Sequence, residues 1–186
     1  EGFQLSSGMH IKGMIVLIEP NERYLNSYKD AYLEYEINNI NSYHFSDGDV
    51  FTKFDNYKYE RNLKENRVGS HFFWLVDDER DYFIGEVSIR HRLNDALERY
   101  GGHIGYGIRC GEWNKGYGTL LLKCALEKAF ELGLDNILIT CDDGNIGSYR
   151  VMEKNGFKLR DKIENNINGK AILTRRYVLC KHGLRD

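Results

Sequence analysis

A long helix with a wide apolar face constrains the fold of this chain more than any other feature. The helix is predicted over Gly116–Gly133, where polar residues recur every four positions and apolar residues cover most of the remaining surface. So wide an apolar face is typical of a helix that lies flat on a sheet. Apolar runs at His103–Ile108 and Asn136–Cys141 flank the helix and are predicted to be strands. The chain is therefore expected to build a sheet that is covered by helices.

The other elements complete a mixed architecture. A hairpin is predicted in which an acidic turn joins Phe72–Val76 to Tyr82–Arg90. The two strand–helix units imply a short parallel part inside a mostly antiparallel sheet, which makes the fold class α+β. The remaining predicted elements are a strand at Met14–Glu19, a helix with a tyrosine stripe over Asn21–Asn39, a helix over Ile146–Asn155, and a hairpin of Lys158–Glu164 and Ala171–Cys180.

A single domain is predicted for residues 14–186, because 186 residues fit one domain of ordinary size. Residues 1–13 have no clear period and do not begin with Met, so they are expected to be a tag or leader remnant. Residues 40–70 are polar and weakly periodic and are expected to form loops with one or two short helices. Such a segment is a candidate for the part of the chain that faces a substrate.

Charge and cysteine usage exclude several classes of protein. A net charge of -2 argues against a nucleic-acid-binding protein, and no apolar run approaches the roughly 20 residues that cross a bilayer. The four cysteines lie far apart, without the spacing of a metal site or a disulfide scaffold. We therefore expect no metal, no membrane partner and a reducing cytoplasm.

A glycine-containing loop over Glu112–Thr119 lies between a predicted strand and the long helix. Gly116 and Gly118 let the backbone approach a ligand closely, and the N–H groups of the first helical turn can bind a pyrophosphate. Lys115 adds a positive charge. The dinucleotide fingerprint is incomplete, because Leu121 stands where its third glycine would be. A tight strand-to-helix turn without a ligand would explain the same glycines.

The stretch Gly102–Phe157 resembles the GNAT superfamily of acyl-CoA-dependent N-acetyltransferases. The resemblance rests on a strand GGHIGYGI, a loop NKGYGT with its helix, and a strand–helix unit ITCDDGNIGSYRVMEKNGF, which occur in the family's order. It covers Phe72–Cys180 more weakly, and the Ile-Gly-Tyr and Glu-Lys-x-Gly-Phe motifs are most similar to the ribosomal-protein N-terminal acetyltransferase branch. The resemblance implies one acetyltransferase domain with acetyl-CoA as co-substrate and a splayed parallel strand pair.

The resemblance also implies a set of acetyl-CoA contacts. The backbones of Ile108 and Arg109 would bind the pantetheine arm, Asn145 would hydrogen-bond it, and Ser148 would lie near the sulfur. The residues that would wrap the pyrophosphate are Asn114, Lys115, Gly116, Tyr117, Gly118 and Thr119.

Two positions depart from the family pattern. Trp113 stands where many members have Arg or Gln, which affects the phosphate contacts. Met152 stands where many have a tyrosine that protonates the leaving thiolate. Because Ser148 lies one helical turn before Met152, its hydroxyl is the candidate donor to the departing thiolate.

Glu86 and His103 are the candidate bases for the amine proton, on neighbouring strands of the predicted sheet. Histidine has a suitable intrinsic pKa, whereas a glutamate would act through water. Either residue could instead be a solvated polar residue at a strand edge. The N–H of Ile108 is a candidate donor to the oxyanion.

The expected function is transfer of acetyl from acetyl-CoA to a primary amine of a small molecule, by direct attack. Acetylation of a protein or peptide N-terminus and non-catalytic acyl-CoA binding remain as alternatives. The acidic and tyrosine residues of Asn21–Ser70 slightly favour a cationic acceptor. The sequence leaves open whether the chain forms a homodimer.

Overall fold

Two antiparallel sheets form the frame of the computed structural model, which describes residues 9–11, 15–40, 49–167 and 169–181. In the first sheet each strand pairs with the next, in the order β1 (Met9–Ile11), β2 (Ile15–Ile18), β3 (Ser70–Asp77), β4 (Tyr82–Arg90) and β5 (Ile104–Ile108). The second sheet consists of β6 (Asn136–Asp142), β7 (Lys158–Ile167) and β8 (Lys170–Cys180), with β8 in the middle.

Helices cover both faces of the first sheet. On one face, Trp74 and Phe83 pack with Tyr28 and Phe54. On the other face, the apolar residues of the long helix are buried against strands β3 to β5, as the sequence pattern predicts. The helices are α1 (Leu25–Ile37), α2 (Val50–Lys58), α3 (Asp95–Tyr100), α4 (Tyr117–Glu131) and α5 (Ile146–Lys154).

Backbone and side-chain hydrogen bonds near the start of β5 join the two sheets, which also share one hydrophobic core. The N–H of His103 donates to the carbonyl of Leu138 at 2.7 Å, and the Leu138 N–H donates to His103 Nδ1 at 3.0 Å. A Cβ on Gly102, which has a φ of +66°, would lie 2.6 Å from the Leu138 carbonyl oxygen, so this close approach requires glycine. Strands β5 and β6, which were predicted to splay apart, belong to two different sheets.

Most predicted elements match the structure, including the strand Tyr82–Arg90 and the buried tyrosine stripe of α1. Helix α3 was not predicted. It lies in the polar segment between β4 and β5, and the side chain of Asn94 stabilises its first turn by accepting from the Leu97 N–H at 3.0 Å. In the predicted leader segment, Met9–Ile11 pairs with β2. The other residues of that segment, and residues 41–48 of the predicted loop region, lie outside the described part of the chain. No helix in the described part is long and apolar enough to cross a membrane.

Candidate active site

The loop before α4 presents backbone N–H groups at the start of a long helix. Gly116 is the N-cap residue, with a φ of +87°, and no side chain caps the first turn. Asn114 also adopts a positive φ of 61°, a conformation that Asn tolerates better than most residues. The free N–H groups and the positive end of the helix dipole both point out of the fold there, an arrangement that favours an anion.

Lys115 is engaged within this loop. Its Nζ lies 3.0 Å from Glu112 Oε2, and Glu112 is buried. Tyr82 also donates to Glu112, at 3.2 Å. The lysine therefore ties the loop to β4 through Glu112, in addition to placing a positive charge beside the helix N-terminus.

Strand β5 has an open edge toward the gap between the sheets. Arg109 donates its N–H to Ile84 and Arg90 donates to the carbonyl of His103, each at 2.8 Å. Because hydrogen bonding alternates along an antiparallel strand, the N–H groups of Tyr106 and Ile108 face away from β4 and into the gap. The carbonyl of Ile108 is occupied, as it accepts from Tyr35 Oη at 2.5 Å and Trp113 Nε1 at 2.7 Å. The N–H of Ile108 thus remains as a donor at this edge.

Arg109 does not offer the backbone contact that the family resemblance implies. Its N–H donates to Ile84, and its carbonyl accepts from the Glu112 N–H at 2.9 Å. The guanidinium is buried and bonds Glu34 at 2.7 Å and Ser27 Oγ at 3.0 Å. Arg109 is therefore a structural link from β5 to α1, because both of its backbone groups and its side chain already have partners.

The side chain of Tyr106 on β5 is hydrogen-bonded to Ser148 in the first turn of α5. Asn145 caps α5 by accepting from the Ser148 N–H at 3.0 Å with its side-chain oxygen. Ser148 Oγ lies 3.1 Å from Tyr106 Oη. Burial raises the pKa of Tyr106 to about 12, so the phenol is protonated at neutral pH. Met152 is fully buried in the core and offers no donor.

Glu86 is a buried carboxyl on the opposite face of the first sheet. It is 1% exposed and accepts from Trp74 Nε1 at 3.0 Å. Burial raises its pKa to about 8, although the Trp74 hydrogen bond and the charge of Lys53 oppose this shift. Both protonation states of Glu86 are therefore accessible near neutral pH, as a proton acceptor requires.

Glu86 lines a cavity of about 360 Å³. Gly107 and Gly105 on β5 pair with Glu86 and Ser88 on β4, so no β5 side chain covers this face of the edge strand. Beside the cavity-lining residues Glu86 and Ser88, β5 thus presents only backbone on this face. The residues that line the cavity are Lys53, Tyr57, Asn66, Arg67, Val68, Ser70, Phe72, Glu86, Ser88, Arg90 and Leu97.

His103 and Glu86, the two candidate bases, are not brought together. His103 is hydrogen-bonded to Arg90, four residues beyond Glu86 along β4, so the two backbones are roughly 13 Å apart. His103 Nδ1 accepts from a backbone N–H, and burial lowers the pKa of its imidazole. The structure thus gives His103 a role at the sheet junction.

The free energy of unfolding is expected to depend on pH because Glu86 is buried and has a raised pKa. The protonated form is favoured in the folded state, so its contribution to the free energy of unfolding is fully present below pH about 4.5 and is lost as pH rises through about 8. Glu86→Gln is expected to remove this loss and to become more stable than the wild type at alkaline pH. Urea denaturation of both proteins across this range measures the difference, and parallel curves would contradict the buried state of the carboxyl.

Sequence reasoning missed Tyr106 and two basic residues of the cavity, Lys53 and Arg67. The alternation in Ile104–Ile108 puts Gly105 and Gly107 on one face and Tyr106 on the other, which was a usable signal. Arg67 gave no such signal, because its position depends on how the segment before β3 packs against the sheet.

Comparisons with known proteins agree with this geometry. Residues 22–158 match the family model described as "Acetyltransferase (GNAT) domain". The ribosomal-protein-S5-alanine acetyltransferase of Vibrio fischeri is a similar solved structure, with a TM-score of 0.70 and 14% identity over 97% of this chain and 100% of that one. No curated protein matches the sequence significantly.

Two further solved structures share the fold. The microcin C7 self immunity acetyltransferase MccE, in complex with acetyl-CoA and AMP, has a TM-score of 0.67 and 19% identity, over 94% of this chain and 96% of that one. A spermidine N-acetyltransferase SpeG chimera from Vibrio cholerae and hSSAT has a TM-score of 0.62 and 18% identity, over 94% of this chain and 100% of that one. At these identities the similarity establishes the fold.

Proposed function

Because the chain belongs to the GNAT acetyltransferases, we propose that it transfers acetyl from acetyl-CoA to a primary amine of a small molecule. The observation that carries the proposal is the buried carboxyl of Glu86, which lines a cavity and belongs to β4, the strand that pairs with β5. The other edge of β5 faces the gap between the sheets. A cavity of about 360 Å³ suits a small acceptor, since small-molecule sites usually measure roughly 300–1,000 Å³.

Acetyl-CoA is the donor substrate, and the gap between β5 and β6 is its proposed site. The uncapped N–H groups that follow Gly116 would bind the pyrophosphate. The outward N–H groups of Tyr106 and Ile108 would bind the pantetheine arm and the thioester. Asn145 and Ser148 stand at the start of α5, on the opposite side of this gap from the first sheet.

The reaction needs a neutral amine, a stabilised oxyanion and a protonated leaving group. Glu86 accepts a proton from the ammonium form of the acceptor, and the neutral nitrogen then attacks the thioester carbon. The new C–N bond forms as the carbonyl oxygen becomes an oxyanion, which the Ile108 N–H stabilises. The C–S bond then breaks as the nitrogen loses its second proton to solvent. The thiolate receives a proton through the Ser148 hydroxyl, which Tyr106 at 3.1 Å and solvent restore, and Glu86 returns its proton to solvent.

Two features favour Glu86 over His103 as the base. Glu86 lines the cavity, and burial raises its pKa to about 8, close to the working pH. His103 uses its Nδ1 to hold Leu138, and a lowered pKa weakens its imidazole as a base.

The leaving group can be tested at Ser148. Ser148→Ala and Tyr106→Phe are each expected to lower kcat by about tenfold, a modest effect because a thiol with a pKa near 8.5 can also leave as thiolate. Met152→Leu should stay near wild type, because this buried side chain has no proton to give. Steady-state kinetics on the three variants measures this order. Equal turnover in all three would assign Ser148 a purely structural role in α5.

The proposed function is tested by the release of free thiol from acetyl-CoA in the presence of small amines, with peptides that have free N-termini as the comparison. Amine-dependent thiol release supports the proposal. Turnover of peptides alone would indicate a protein N-terminal acetyltransferase, and tight acetyl-CoA binding without turnover would indicate a binding protein.

A further inference from the structure

We propose that the acceptor carries an anionic group, a carboxylate or a phosphate, in addition to its amine, and that Arg67 and Arg90 bind this group. The inference rests on the proposed function, because it concerns the acceptor side of the same site. It is carried by the charges that surround the cavity.

Three cationic side chains line the cavity beside a single carboxyl. Lys53, Arg67 and Arg90 supply the positive charge, and among the described residues of the lining Glu86 is the only acidic one. Since burial keeps Glu86 largely protonated at neutral pH, it cancels little of that charge. The cavity is thus strongly positive although the whole chain has a net charge of -2, and such a cavity attracts anions.

Nearby carboxylates do not neutralise the two arginines. Arg90 Nη1 donates to the carbonyls of Gly101 and Gly102, at 3.0 and 2.9 Å. Within the described residues, neither Arg67 nor Arg90 forms an ion pair with a carboxylate. Glu60, which lies in the segment before Arg67, is already bound by Arg92.

Arg90 is a half-buried cation, which is unfavourable in the absence of an anion. Burial and the charge of Arg67 both lower the pKa of its guanidinium below the usual value. A buried charge that lacks an opposite charge is costly, and two like charges at one cavity add to that cost. A bound carboxylate or phosphate relieves both costs, and it matches the fork of N–H donors that an arginine presents.

The register of β4 places the two ends of such an acceptor. Glu86, Ser88 and Arg90 alternate along the strand and therefore share one face of the sheet. An amine beside Glu86 would therefore lie on the same face as an anionic group held by Arg90. The reach of the arginine side chains sets the distance between the two groups, so acceptors of several lengths are compared.

The same geometry reverses the expectation of a cationic acceptor. Of the acidic side chains that suggested it, Glu34 is paired with Arg109 and Glu60 with Arg92. None of the described acidic residues of that segment lines the cavity, and of its described tyrosines Tyr57 alone does. A polyamine would place its additional charges against cations.

The test uses acceptors that differ only in the anionic group. A series of ω-amino acids of increasing length is compared with the corresponding carboxamides, O-phosphoethanolamine with ethanolamine, and spermidine serves as the cationic acceptor. In each pair the acceptor with the anionic group is expected to have a kcat/KM about tenfold higher. Comparing the ω-amino acids with O-phosphoethanolamine shows whether the site prefers a carboxylate or a phosphate.

Variants at the exposed Arg67 connect this preference to the cavity. Arg67→Ala is expected to raise KM for anionic acceptors by about tenfold and to change KM for neutral acceptors much less. Arg67→Glu should raise KM for anionic acceptors further. Arg61→Ala is the matched control, because Arg61 lies in the same segment but outside the cavity lining. Calorimetry with O-phosphoethanolamine and the coenzyme A-loaded protein provides a readout that is independent of turnover.

The outcomes separate this inference from the proposed function. Turnover that is equal or better with carboxamides, ethanolamine or spermidine overturns the anionic acceptor and leaves the acetyltransferase intact. Binding of O-phosphoethanolamine that Arg67→Glu abolishes, without turnover of any amine, supports the anion site and overturns the proposed function. Absence of both binding and a charge preference overturns the inference.

Discussion

Glu86→Gln is expected to lower kcat by about 10²–10⁴-fold, the usual contribution of a positioned general base. Glutamine keeps the shape of the side chain and can still accept from Trp74 Nε1, so the fold and acetyl-CoA affinity should persist. In the wild type, kcat/KM should rise with pH up to about 8, because only the ionised carboxyl accepts a proton. The variant should lose that rise. Stopped assays across this pH range, with calorimetry of acetyl-CoA binding, measure both effects.

His103→Asn is the control for this experiment. An asparagine oxygen can replace His103 Nδ1 as the acceptor for the Leu138 N–H, so the sheet junction is preserved. The control should retain nearly full turnover. If His103→Asn loses activity while Glu86→Gln keeps it, the base is the histidine and the proposed assignment is wrong.

Gly116→Val is expected to weaken acetyl-CoA binding by about 10²-fold or more. A β-branched residue resists the positive φ of 87° at the start of α4, so the loop would rearrange and its N–H groups would lose their common direction. Loss of two charge-assisted hydrogen bonds to a pyrophosphate accounts for an effect of this size. Titration calorimetry with acetyl-CoA measures the affinity directly.

The other end of the same helix offers a matched control. Gly133 has a φ of +86°, and a Cβ there meets no atom within 4 Å, which is also true at Gly116. Gly133→Val should therefore cost similar stability while leaving acetyl-CoA affinity unchanged. Equal affinities for Gly116→Val and Gly133→Val would contradict the assignment of the pyrophosphate site.

Local patterns predicted most of the fold. The apolar face of α4 and the strand pattern of β4 are each encoded within a few residues, and both appear in the structure. The loop at Gly116 was found for the same reason, since a glycine pair before a helix is a local signal.

The acceptor side was less predictable, because it depends on contacts between distant segments. Glu86 and His103 looked equivalent as polar residues of neighbouring strands, and only the position of Leu138 shows that His103 holds the sheet junction. The availability of backbone groups at Arg109 depended on its pairing with Ile84. The charge of the cavity was hidden for the same reason, since Arg67 and Arg90 are far apart in the sequence.

The central claim is that Glu86 promotes transfer of acetyl from acetyl-CoA to an amine. Mass spectrometry of the acceptor, combined with measurement of the free thiol, tests this most directly. The wild type should form N-acetylated amine in equal amount to released coenzyme A, and Glu86→Gln, loaded with acetyl-CoA to the same extent, should form almost none. Thiol release without an acetylated amine, or equal product from both proteins, would contradict the claim.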